Sequence, residues 1–141
     1  MIFWQEPPAA ISYQEEAHAL ARLTIATGAC NRDLGYVVNE AANREEVAAY
    51  ARRRTAQGID PEMSRIAYFD ALDRETTRWD EATRMHPTHS ETESRAQMMR
   101  IAQFIVDLCA EASRPYPRVI TASSDGPVSA PDLLELWTSE R

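Results

Sequence analysis

Apolar side chains recur at helical spacing along most of the chain. Ala17, Leu20, Leu23 and Thr24 fall on one face, as a 3.6-residue period requires of a half-buried helix. Ser12-Tyr13-Gln14-Glu15 precedes them and reads as a capping box, and Gly28 offers a stop. A second helical region is predicted over residues 31–57. Leu34, Val37, Val38 and Ala41 form its first stripe. Asn43-Arg44-Glu45-Glu46 marks a second cap with a bend, Val47, Tyr50 and Ala51 continue the spacing, and Gly58 ends it. The third start joins Asp60 as cap, Pro61 in the first helical position and Glu62 at the positive end of the helix dipole. Tyr68, Leu72, Trp79 and Ala82 then draw a narrow apolar stripe, widened by Phe69, that ends near Met85 before Pro87.

Thr88 and Ser90 both fit a capping box for a fourth helix, with Glu91 and Glu93 in third place. Met98, Ile101, Ala102, Ile105, Leu108, Cys109 and Ala112 form its inner face. Met99, Phe104 and Val106 carry apolar character further round, so this helix is expected to be the most buried. Beyond Arg114 the pattern changes. Pro115, Pro117, Pro127 and Pro131 crowd the chain, and Val119-Ile120-Thr121 is strand-like but has no evident partner. Ser124-Asp125-Gly126-Pro127 reads as a turn, and Ser129 caps a short helix over residues 131–139. The expected fold is all-α. It is an antiparallel four- or five-helix bundle over residues 1–114, with a Pro-rich C-terminal arm over 115–141 that ends in a short amphipathic helix and docks on the bundle.

Composition narrows the chemistry. The 141 residues carry 22 acidic and 15 basic side chains, a formal charge of −7. All 15 basic residues are arginine. Without lysine there is no Schiff-base chemistry, P-loop lysine or lysine base. The arginine and alanine bias matches GC-rich coding, as in a bacterial or phage source. Acidity argues against nucleic acid as a direct ligand. Arg52-Arg53-Arg54 does not reverse this, since consecutive helical residues point about 100° apart. The chain has no apolar run long enough for a membrane span. Cys30 and Cys109 are expected as two reduced structural thiols in a cytoplasmic protein, with a single bridge between them as the alternative.

Sites are sparse. His18 follows Glu15 at i, i+3, a spacing used in di-iron bundles, but only one such motif exists and His18 falls on the solvent side. His86 and His89 flank Pro87 in the turn before the fourth helix and could share a metal with Glu91 and Glu93. That makes a metal-dependent helical-bundle enzyme the alternative reading. No nucleophile motif and no Gly-rich phosphate loop appear. Two surfaces stand out instead. Asp70, Asp73, Asp80 and Glu81 lie within about 100° of arc on the third helix, flanked by Arg74 and Arg78. The termini carry Trp4, Leu133, Leu136 and Trp137, apolar groups that must dock on this chain or on another. The leading expectation is therefore a non-enzymatic interaction protein without cofactor: an inhibitor, immunity-type or assembly subunit. It would bind a protein with a basic surface through Asp70, Asp73, Asp80, Glu81 and the aromatic termini, with homo-oligomerisation as a further use of the arm.

Overall fold

Most helices begin where local side-chain chemistry directs them. A computed structural model describes residues 12–139. Its elements are α1 (Tyr13–Ala29), a 3-10 turn (Arg32–Leu34), β1 (Tyr36–Val38), α2 (Glu40–Ala56), α3 (Pro61–Thr83), α4 (Glu91–Ser113), β2 (Ile120–Ala122) and α5 (Ala130–Ser139). The Ser12 hydroxyl accepts the Glu15 N–H at 3.2 Å, the Asp60 carboxylate that of Glu62 at 2.7 Å, and the Ser90 hydroxyl that of Glu93 at 3.1 Å. Ser129 does the same for Asp132 at 3.3 Å. Each cap satisfies a donor that the helix leaves open and contributes about 1 kcal/mol.

Residues 31–38 depart from the expected helix. Gly35 takes φ 86°, where a side chain is strained, and a Cβ there would stand 2.1 Å from the Gly126 carbonyl oxygen. The chain then runs extended, and β1 pairs antiparallel with β2 in the register Tyr36↔Ala122, Val37↔Thr121, Val38↔Ile120. The apparent stripe of Leu34, Val37, Val38 and Ala41 is therefore not helical. Tyr36, Val37 and Val38 are strand-favouring residues, and over so short a run the two periods cannot be told apart. The Val119–Thr121 segment thus has a strand partner, about 80 residues earlier in the chain. Asn39 caps α2, accepting the Ala42 N–H at 3.0 Å, while Asn43 sits inside that helix. Two further hydrogen bonds extend the strand pairing: Asn39 N–H to the Val119 carbonyl (2.8 Å) and Ser123 N–H to the Gly35 carbonyl (2.8 Å).

The core is built around α1, not α4. Ala17, Leu20, Ala21, Leu23 and Ala26 are wholly buried, and α2, α3 and α4 all pack against that helix. Small alanines let neighbours approach from several sides. The bulky Met99, Phe104, Ile105 and Val106 of α4 remain only partly buried. Cross-helix pairs set the order of α1 and α2. Tyr50 donates to the Tyr13 carbonyl at 3.2 Å, Arg53 and Arg54 both pair with Glu16, and Asn43 reaches Thr24, so the two helices run in opposite directions. α5 packs on α4, with Leu133 and Leu134 buried.

Cys30 and Cys109 are joined. Their Cα atoms lie 5.7 Å apart, and neither residue is more than 1% exposed. The expectation of two reduced thiols is overturned. α1 passes Gly28 and ends with Cys30 as its C-cap, which aims the side chain at α4. The mostly helical architecture agrees with a bundle, and the small antiparallel sheet is an addition to it.

Candidate functional site

The rotation of α3 about its axis decides what it shows to solvent. Its inner line is Ser64, Ala71 and Glu75, with Tyr68, Leu72 and Trp79 partly buried beside it. Glu75 is 5% exposed and meets Arg22 of α1 at 3.2 Å and Arg78 at 3.7 Å. Arg22 also reaches Glu111 of α4 at 3.8 Å. Thr24 and Tyr68 share a hydrogen bond of 2.8 Å, and the Trp79 ring lies 5.9 Å from that of Phe104. A buried carboxylate is tolerable only with such partners. The network therefore fixes which side of α3 faces inward.

The opposite side is outward and two-part. Met63, Ile66 and Phe69 are about half exposed, at 51%, 46% and 49%. Asp70, Asp73, Asp80 and Glu81 are exposed. Met63, Ile66, Asp70, Asp73, Thr77 and Glu81 fall within about 80° of arc, and positions 63 to 81 span about 27 Å of helix. Among the described residues, none of the four acids is in an ion pair. Arg78, expected to flank them, turns to Glu75 and lies 5.4 Å above the Phe104 ring instead. At the start of the helix, Glu62 is held below the usual carboxylate range by hydrogen bonding and charge from Arg65.

A groove of about 490 Å³ runs along this face between α1 and α3. Met63, Ile66, Ala67 and Ala71 make its apolar side, and Glu15, His18, Asp70 and Arg74 bring polar groups to it. The sequence had singled out Asp70 here but not Met63 or Ile66. Their signal was present as an i, i+3 apolar pair far round the helix from the Tyr68–Trp79 stripe. His18 lines the groove and is half-buried, rather than standing free in solvent.

The other predicted positions are distributed as follows. His86, His89, Glu91 and Glu93 are exposed. The backbone of His86 exchanges two hydrogen bonds with the buried Gln97 side chain, at 2.9 and 3.1 Å. The Glu93 carboxylate accepts the His89 N–H at 2.9 Å, closing the α4 cap. Among the described residues, no three His, Cys, Asp or Glu side chains stand together as a metal site. Leu133 belongs to the core, and Leu136 and Trp137 are half-buried. Trp4 lies outside the described residues. Arg52 is exposed, but Arg53 and Arg54 are drawn to Glu16, so the basic triplet forms no patch. No described helix is long and apolar enough to cross a membrane. No protein-family model, curated protein or solved structure matches the chain.

Proposed function

We propose that this chain is a non-enzymatic protein-interaction protein, an inhibitor or assembly subunit, whose partner docks on the outward face of α3. The observation that carries this reading is the coincidence, on one helix face, of half-exposed Met63 and Ile66 with Asp70, Asp73, Asp80 and Glu81, which are in no ion pair among the described residues. Here the apolar groups stand at one end of the acidic strip, and exposed apolar side chains next to a polar, charged margin are features of specific protein interfaces. The terminal surfaces contribute less, because Leu133 is already used in the core. The cytoplasmic expectation drew in part on reduced thiols, and with Cys30 and Cys109 joined it no longer draws on them. A chain whose only cysteines are joined and buried suits surroundings that oxidise thiols.

The test is site-directed photo-crosslinking in extracts of the source cells. A benzophenone side chain is placed at Ile66 and, as control, at the exposed Gln103 of α4. A cross-linked protein seen only from position 66, and lost when Asp70, Asp73 and Asp80 become serine, is the expected result. Equal products from both positions, or products indifferent to the three substitutions, would sink the reading.

A further inference from the structure

Resting on that reading, we infer the chemistry of the partner: a cationic amphipathic helix of another protein. Its apolar residues would enter the α1–α3 groove, and its arginines or lysines would meet the acids further along α3. The groove supplies the apolar end, through Met63, Ile66, Ala67 and Ala71. The acids follow Ile66 by 4, 7, 14 and 15 residues, about 6, 10, 21 and 22 Å along the axis. A helix laid alongside has the same rise, so its cations fall opposite these acids at matching intervals.

Two other occupants fail on charge. A second copy docked about a twofold axis through Ile66 sets Asp70 against Glu62, and a parallel pairing sets each acid against itself. Both place like charges together in the contact. The chain's own residues 1–11 include Ile2, Phe3 and Trp4, but their one charged side chain is Glu6. That segment has no cationic side chain to set against Asp70, Asp73, Asp80 or Glu81. The same four acids repel nucleic acid and anionic lipid.

The probe is a fluorescein-labelled synthetic helix of about five turns, about 18 residues, with leucines on one face of its first half and arginines on that face of its second. Two comparison peptides carry glutamine in place of the arginines or of the leucines. Binding to the full chain is read by anisotropy at about 0.05 and 0.5 M salt, a range over which exposed charges become screened. The first peptide is expected to bind best. M63S/I66S and D70N/D73N/D80N are each expected to weaken it about tenfold or more, about 1.4 kcal/mol, and the second set should flatten the salt dependence. A control with equal charge loss, E40Q/E45Q/D132N, should stay within about twofold.

Equal binding of the neutral peptide, still lost in M63S/I66S, overturns the cationic assignment while the docking face stands. Equal weakening by the control set also overturns it, because the attraction would then be to net charge. If none of the three peptides binds, the partner chemistry is wrong, and the photo-crosslink from Ile66 reports separately on the face itself.

Discussion

Replacing both Cys30 and Cys109 with alanine should remove a large part of the chain's stability. The bridge joins positions 79 apart in sequence, and the enclosed loop contains α2, α3 and most of α4. Closing a loop of that length in the unfolded chain corresponds to about 4–5 kcal/mol at 25 °C in the chain-entropy account. Domains of this size have total stabilities of about 5–15 kcal/mol, so the double variant keeps between little and two thirds. Its midpoint temperature should fall by about 12 °C or more. Urea unfolding followed by tryptophan fluorescence and by circular dichroism measures the difference. The slope against urea should also rise, because the untethered denatured chain exposes more surface. Burial of both cysteines adds a kinetic expectation. Reductant should cut the bridge only as fast as the fold opens. The reasoning fails if the double variant loses less than about 1 kcal/mol with an unchanged slope. It fails equally if the purified chain, denatured without reductant, yields two titratable thiols.

Three further outcomes follow from single sites. Gly35→Ala should cost about 2 kcal/mol or more in urea unfolding, because the added Cβ meets the Gly126 carbonyl at a positive φ. Gly58→Ala, also at positive φ but facing open space, should cost only about 1 kcal/mol; equal losses would refute the contact argument. Glu75→Gln should destabilise by about 2–3 kcal/mol, since it strips charge from between Arg22 and Arg78, and a neutral result would mean water replaces the pair. Burial raises Tyr36, Tyr50 and Tyr116 above the ordinary 10.0. The unfolded chain therefore releases these protons first, so stability holds below pH 10.0 and falls as pH rises through the raised values. With no lysine to titrate in that window, urea midpoints measured across it should decline less steeply in Tyr50→Phe than in the parent.

Features set by a few neighbouring residues were legible in the sequence. Ser12, Asp60, Ser90 and Ser129 announce helix starts because a cap needs only a side chain and an N–H two or three residues on. The acidic ridge was legible for a similar reason, as an angular property of one helix. Features that need a distant partner were not. Tyr36–Val38 is a strand because Ile120–Ala122 pairs with it, and Leu34, Val37, Val38 and Ala41 mimic a helix when that partner is out of view. Cys30 is oxidised because α4 delivers Cys109 to it. Glu75 looks like one more surface acid until Arg22, 53 residues away, is placed against it. Because α3 turns Glu75 inward, it turns Met63 and Ile66 outward, so the same long-range contact hid the apolar half of the candidate surface.

The arginine-only basicity acquires a physical meaning through those contacts. A guanidinium fork can hold two carboxylate oxygens or bridge two acids, which an ammonium does less well. Here Arg22 bridges Glu75 and Glu111, while Arg53 and Arg54 share Glu16. Arg78 folds back onto Glu75 and the Phe104 ring. Four of the 15 cations are thereby spent in pairing helices with one another or with their own inner acids. Arg78 is the one that matters most for the surface, because the helical wheel places it beside the ridge. Its withdrawal leaves Glu81, three residues on, without the cation that helical spacing places beside it. The charge of −7 is consequently uneven. It is offset where helices meet, whereas along α3, with Arg74 the nearby cation, Asp70, Asp73, Asp80 and Glu81 are in no ion pair among the described residues, beside the half-exposed Met63 and Ile66. An acidic strip beside apolar groups favours solubility and disfavours pairing of like surfaces, and it is this charge that the proposed cationic helix would neutralise.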